Sequence, residues 1–241
     1  MSDTKRAVVV GASSGIGEAL ARRLAADGYE VGLCARRRDR LVDIGDDLPT
    51  KAYVARIDVT DTEDAREGFS ELTDAMGSVD LVVVNAGVGY ENRELDPEQE
   101  HATVATNALG YTTMAVAAMR LFEEQGHGHL VGISSLAAHF PNGATAAYNA
   151  SKAFVTRYTD GLRYRARGLD ADVAVTVIEP GFVDTDLAGG DLWKCSPETA
   201  ADHIIRAVRK EKRHAYVTRR WRVVAWLFAL MPDALARRLF G

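Results

Sequence analysis

Short apolar runs alternate with stretches of helical period along most of this chain, and that alternation restricts the fold more than any other feature. The runs are "RAVVVGA", "YEVGLCAR", "KAYVARIDVTD", "VDLVVVNAG", "GHLVGISS" and "DVAVTVIEP". Between them, "IGEALARRLAADG" sets Ile16, Leu20 and Leu24 on one helical face and stops at Gly28. "RRDRLVDIGDDL" and "TEDAREGFSELTDAMG" read as the next helices, the latter with Thr60 or Asp61 as N-cap. A long helix is expected over roughly 97–125, and another from Tyr148 to about Arg167. Strands joined through helices lie parallel, by right-handed crossovers. "VDLVVVNAG" is apolar throughout, as a strand covered on both faces must be. The expected fold is α/β, a doubly wound, Rossmann-like parallel sheet. No repeat or linker divides residues 1–241, so one dinucleotide-binding and catalytic domain is expected, with a helical, aromatic and basic extension at 215–241.

The turn after the first strand, "GASSGIG", holds Gly11, Gly15 and Gly17. Glycines there let the backbone turn tightly and let phosphate oxygens reach the amides, and the following helix N-terminus offers free N–H donors. The spacing is Gly-x-x-x-Gly-x-Gly, neither the common Gly-x-Gly-x-x-Gly fingerprint nor a P-loop, which needs Gly-Lys-Ser/Thr. A dinucleotide site puts an acid some 20 residues further on, where it accepts from a ribose 2′-hydroxyl. Here Ala35 is followed by Arg36, Arg37 and Arg38. Arginine pairs with a 2′-phosphate where an acid repels it, so NADP(H) is favoured over NAD(H), with at least one of the three arginines a solvated helix start.

Composition narrows the rest. The 241 residues suffice for one buried α/β core, and a net charge of −5 gives no global argument for nucleic acid. Two distant cysteines, Cys34 and Cys195, do not make a disulfide framework, and Cys34 reads as a core thiol. The first residues hold no apolar run of signal-peptide length, which fits a cytoplasmic chain. His127 and His129 in "GHGHL" read as a surface glycine turn rather than a metal site, and no metal is expected. "RKEKRH" from Arg209 reads as a solvated helix end.

Tyr148 and Lys152 in "YNASK" stand at i and i+4, on one face of a helix. A free tyrosine has a pKa of about 10, too high for efficient proton exchange near neutrality. An ammonium at ~4 Å and an effective dielectric of ~20 contributes about 4 kcal/mol toward the phenolate. Burial opposes it, but a drop of ~2–3 units needs only ~3–4 kcal/mol, so the charge is expected to win.

The glycine loop, "NAG" at Asn85 to Gly87, "TNALG" with Asn107, Ser135 in "GISSLAAHF", and "YNASK" stand in order, and "EPGFVDTDL" follows from Glu179. Together they resemble the classical short-chain dehydrogenase/reductase family over roughly residues 5–190. Val84 stands where many members have another asparagine, and the tail is not part of the common core. The resemblance implies carbonyl–alcohol interconversion on a small molecule, with Tyr148 as general acid and base. Lys152 would lower its pKa and hold the nicotinamide ribose, Ser135 would bind the substrate oxygen, with Ser134 as its rival, and Asn107 would hold a water linking Lys152 to solvent. The cofactor would lie against Gly11, Ser13, Ser14, Gly15, Ile16, Gly17, Arg36, Arg37, Asp58, Asn85, Ala86 and Gly87, and against Pro180, Gly181, Val183 and Thr185 on the nicotinamide side. Asp58 as a loop cap is the alternative at that position. A homodimer or homotetramer is common in the family. A cofactor-binding sensor or scaffold without turnover is the alternative function.

Two segments stay open. "DTDLAGGDLWK", with Gly189 and Gly190, reads as a lid that orders on binding. The run from Val223 to Met231 is too short to span a bilayer, so the tail is either a helix covering the substrate cleft or a subunit contact, or an interfacial helix lying peripherally on a membrane.

Overall fold

β1 (Arg6–Val10) buries Ala7 and Val9 on one side and Val8 and Val10 on the other, so both faces of the sheet must be covered. The computed structural model describes residues 4–185, 193–218 and 220–229. After β1 come α1 (Gly15–Ala26), β2 (Glu30–Ala35), α2 (Arg38–Asp46), β3 (Ala52–Arg56), α3 (Thr62–Met76) and β4 (Leu81–Val84). The second half holds α4 (Pro97–Val104), α5 (Tyr111–Gln125), β5 (His127–Ile133), α6 (Ala146–Ala166), β6 (Asp172–Pro180), α7 (Pro197–Val208), β7 (His214–Val217) and α8 (Arg220–Ala229). The described strands form one parallel sheet in the order β3-β2-β1-β4-β5-β6-β7. Strand order reverses between β1 and β4, which opens a crevice at the carboxyl ends of those strands.

One face packs under Leu20 and Leu24 of α1, Leu41 of α2 and Ile204 of α7. The other packs under Phe69 and Leu72 of α3, Met114 and Phe122 of α5, and Val155 of α6. Local signals set the helix ends. Asp61 caps α3 by accepting from the Asp64 amide at 3.2 Å, and Asp27 with Gly28, at φ +88°, closes α1.

Three sequence expectations are corrected. The sheet has a seventh strand: β7 takes His214 from the end of "RKEKRH" and residues 215–217 from the expected helical extension, and pairs with β6. The helix expected over 97–125 is interrupted at Ala105–Gly110 by a π-helical turn containing Asn107. His127 and His129 lie in β5 rather than a surface turn. His129 is buried, hydrogen-bonded through Nε2 to the Thr176 hydroxyl at 2.8 Å, and burial pulls its pKa down to about 4. Residues 186–192, most of the expected lid, and residues 230–241 of the tail lie outside the described residues.

Candidate active site

The crevice beside β1 and β4 is a cavity of about 530 Å³. Its floor is the glycine loop. Gly11 has φ +87°, and a Cβ there would come within 2.7 Å of the Ala86 backbone. Gly17 does not line the cavity. It lets α1 press against the loop, since a Cβ there would sit 2.0 Å from the Gly11 carbonyl oxygen, and Asn85 Nδ2 donates to that same oxygen at 3.0 Å. Ser14, the N-cap of α1, makes no side-chain capping bond, so the first amides of this helix face the cavity without one. Ser13, Ser14, Gly15, Ile16, Ala86 and Gly87 line the same space.

Arg36, Arg37 and Asp58 close the far end. The Arg37 guanidinium donates to Ser13 Oγ at 3.0 Å and Ser14 Oγ at 2.8 Å, which folds the arginine over the loop. Arg38 begins α2 and is solvated. Asp58 accepts from the Thr60 amide and hydroxyl at 3.0 and 2.8 Å. Burial works against its charge, but the Thr60 bonds, Arg36 and Arg56 hold its pKa below the ordinary value. Asp58 is thus both a loop cap and a cavity wall. A concave glycine turn, open helix amides and two arginines at one end fit a phosphorylated dinucleotide.

A second cavity of about 600 Å³ adjoins the first. Ile16, Asn85, Gly87 and Thr185 line both. Ser135, Tyr148 and Lys152 sit in its wall. α6 places Tyr148 and Lys152 one turn apart, with Lys152 Nζ 5.7 Å from the centre of the Tyr148 ring. Lys152 Nζ donates to the Ile133 carbonyl at 3.2 Å and faces Gly87, where a Cβ would come within 3.3 Å. Ser135 Oγ accepts from the Ala137 amide at 3.1 Å and hydrogen-bonds the Tyr148 side chain. Ser134 points the other way and is buried, with its hydroxyl 2.7 Å from the Lys152 carbonyl and 2.8 Å from Thr156 Oγ1. Of the two serines, only Ser135 reaches the tyrosine through a described contact.

The electrostatics differ from the expectation. Burial pushes the Tyr148 phenol above its ordinary value, and only the Ser135 hydrogen bond opposes it. Burial also pulls the Lys152 ammonium down to about 8. Desolvation therefore outweighs any help the lysine charge gives the phenolate, with the ammonium 5.7 Å from the ring centre. Asn107 is buried, its Oδ1 accepts from the Val88 amide at 2.8 Å, and its Nδ2 lies 2.7 Å from the Val88 carbonyl and 3.0 Å from Ser151 Oγ. The side chain clamps the loop after Gly87, and a Cβ on Gly87 would meet both its Oδ1 and Lys152 Nζ at 3.3 Å.

Pro180, Gly181, Val183 and Thr185 lie in the wall of the second cavity. Val183 is held by a bridge to Cys195. Several residues that position the site carry no local sequence signal. Asn149 Nδ2 donates to the Ala137 and Phe140 carbonyls at 3.1 and 2.8 Å, fixing the loop that follows Ser135. Glu179 is fully buried and accepts from His139 Nε2 at 2.6 Å, His214 Nε2 at 2.9 Å and Thr156 Oγ1 at 3.0 Å. Burial alone would raise its pKa, but the two imidazole hydrogen bonds and their charge hold it at about 2. Trp221 and Val224 of α8 complete the second cavity. The described part of the tail therefore covers this cleft, and no described helix is long and apolar enough to cross a membrane.

Comparison with known proteins gives a consistent picture. The family model described as short chain dehydrogenase matches residues 5–192. An uncharacterized oxidoreductase of Mycobacterium tuberculosis is 34% identical over a 246-residue alignment, covering 97% of this chain and 96% of that protein. An NADP-dependent 3-hydroxy acid dehydrogenase of Shigella flexneri is 34% identical over 179 residues, 73% of this chain and 71% of that one. Among solved structures, a short chain dehydrogenase from Burkholderia cenocepacia J2315 in complex with NADP superposes with a TM-score of 0.84 at 26% identity, covering 99% of this chain and 98% of that one.

Proposed function

The chain belongs to the short-chain dehydrogenase/reductase family and is an oxidoreductase of CH–OH groups, and on that premise we propose that it is an NADP(H)-dependent carbonyl reductase and alcohol dehydrogenase with Tyr148 as its general acid and base. The observation that carries the reading is the seam between the two cavities. Ile16, Asn85, Gly87 and Thr185 border both, and Tyr148, Lys152 and Ser135 line the second beside them.

Arg36, Arg37, Ser13, Ser14 and Asp58 would hold the adenosine end of the dinucleotide, and Asn85, Gly87 and Lys152 its nicotinamide half. When bound, the nicotinamide supplies or accepts the hydride. Tyr148 gives its phenolic proton to the carbonyl oxygen in reduction and takes one back in oxidation. Its raised pKa keeps that proton in place near neutral pH, which suits reduction. Ser135 shares the substrate oxygen and stabilises the charge that develops there. Lys152, with a pKa of about 8, stays protonated at neutral pH and sets a positive charge at the Gly87 edge.

Preference for NADP(H) is supported by Arg37 lying over Ser13 and Ser14 with Arg36 beside it, and by the absence of an acid at the end of β2. Hydrogen bonds to a charged group contribute about 1.5–3 kcal/mol, so Arg37→Asp is expected to weaken NADPH roughly ten- to a hundredfold and leave NADH little changed. Equal affinity of the wild type for the two nucleotides would remove the cofactor assignment. Single-turnover NADPH oxidation with a carbonyl panel, wild type against Tyr148→Phe, tests the chemistry. Retained NADPH binding with turnover lost in Tyr148→Phe supports it, and equal rates in both proteins leave only a silent cofactor-binding protein. Assembly as a homodimer or homotetramer is supported by exposed Val104, Phe154 and Tyr164 on α4 and α6, and sedimentation equilibrium tests it.

A further inference from the structure

The second cavity has a distinct chemical character. Lys152 is the one charged side chain among its described lining residues, and it sits at the Gly87 edge, bonded to the Ile133 carbonyl. The inner wall is aromatic. Trp221 comes down from α8 and is only 3% exposed. Phe182 meets it edge-on at 5.7 Å between centroids and 70°, and Trp193 at 5.6 Å and 65°. Phe140 and Leu136 continue the surface toward Ser135.

The backbone is shaped for this indole. A Cβ on Gly181 would lie 2.1 Å from Trp221 Nε1, so the Pro180–Gly181 turn and the indole occupy adjoining space with no room for a side chain between them. Two described cations of the same segment are engaged with neighbouring residues. The Arg220 guanidinium lies 5.4 Å from the Trp193 ring and donates to the Trp193 carbonyl at 3.1 Å, and Lys194 pairs with Asp184 at 3.6 Å. A substrate carboxylate deep in this chamber would lose its hydration and find Lys152 as the one cation among the described lining residues. A flat or bulky neutral ring would gain both apolar burial and edge-to-face contact.

Building on the oxidoreductase reading above, we infer that this enzyme acts on uncharged, ring-bearing ketones and the matching secondary alcohols, and that Trp221 determines that specificity. The chemistry is unlike that named for the Shigella flexneri relative, a 3-hydroxy acid dehydrogenase. A neutral bicyclic ketone fits a chamber of about 600 Å³, within the range of small-molecule sites.

The test uses the full chain with NADPH, α-tetralone as the neutral probe and acetoacetate as the carboxylate probe. Wild-type kcat/KM is expected to be at least a hundredfold higher for α-tetralone. Trp221→Phe, which keeps an aromatic ring in the α8 packing, should lower that figure several-fold through KM, and Trp221→Arg should shift the ratio toward acetoacetate by tenfold or more. Calorimetric titration of the Tyr148→Phe protein with each probe reads binding without turnover and should show α-tetralone alone. Turnover of acetoacetate at an equal or higher kcat/KM, still dependent on Tyr148, overturns the inference and leaves the reductase reading standing. Binding of α-tetralone with no Tyr148-dependent turnover of any carbonyl overturns the reductase reading and supports the chamber's chemistry. Binding of neither probe overturns the inference.

Discussion

Replacing Lys152 by methionine should make the protein more stable and inactive at once. Lys152 is 6% exposed, and its ammonium has one described hydrogen-bond partner, the Ile133 carbonyl at 3.2 Å. Burial lowers its pKa from 10.5 to about 8. A gap of about 2.5 units corresponds to about 3 kcal/mol of destabilisation while the group is charged in both folded and unfolded chains. The sign follows from proton counting. Between pH 8 and 10.5 the unfolded chain holds the proton more often than the folded one, so stability rises with pH across that window and the full penalty applies below it. Methionine has similar length and no charge. At pH 7 without added nucleotide, Lys152→Met is expected to gain about 2–3 kcal/mol, less whatever the Ile133 hydrogen bond contributes, and to melt roughly 4–10 °C higher. Urea unfolding at pH 7 and pH 10 reads the effect, because the difference between the two proteins should shrink below about 1 kcal/mol at pH 10. A variant less stable than the wild type at pH 7, or a difference that does not change with pH, refutes the desolvation argument. NADPH-dependent turnover should be lost in either case, so the site would retain its lysine at the expense of the fold.

Glu179→Gln should act in the opposite sense. The carboxylate pKa is held at about 2 against an ordinary 4.5, so its contribution of about 3 kcal/mol is present above pH 5, is roughly halved by pH 3, and disappears as pH falls through 2. Chemical denaturation should find the variant about 3 kcal/mol weaker at pH 7 with a narrowing gap in acid, and a pH-independent gap would contradict the ionic account. Gly17→Ala should weaken NADPH at least tenfold in a fluorescence titration and cost roughly 1–3 kcal/mol of stability, because its Cβ would sit 2.0 Å from the Gly11 carbonyl oxygen. Wild-type affinity in that variant would mean that the α1 contact does not set the loop.

The buried strands were legible because a parallel sheet covered on both faces needs continuous apolar runs, and "LVVV" of β4 cannot be much else. β7 was not, because it is a four-residue edge strand led in by the charged "RKEKR", and only its pairing with β6 makes it a strand. Tyr148 and Lys152 were placed on one helix face by their spacing, yet spacing carries no information about solvent. Whether the charge or the desolvation wins is decided by residues from β5 and the loop around Gly87 that wall the pocket. The π-helical turn at Asn107 is equally non-local, since its amide finds its partner at Val88, 19 residues away. His139 lies 40 residues from Glu179, and no local pattern connects them.

The same distinction explains how α6 carries a buried cation so close to a buried anion without pairing them. Thr156 Oγ1 must donate to Glu179, since a carboxylate only accepts, and it stands 2.8 Å from Ser134 Oγ, which reaches the Lys152 carbonyl at 2.7 Å. Two hydroxyl protons serve these three contacts, so Ser134 donates to either Lys152 or Thr156 at any moment. The relay ends on the backbone of Lys152 and not on its ammonium. The carboxylate is satisfied instead by His139 and His214. A direct Glu179–Lys152 ion pair would raise the lysine's pKa and draw its ammonium away from Gly87. By giving Glu179 two imidazoles and a threonine, the fold satisfies that buried charge while leaving the Lys152 ammonium near 8 and facing the cavity seam.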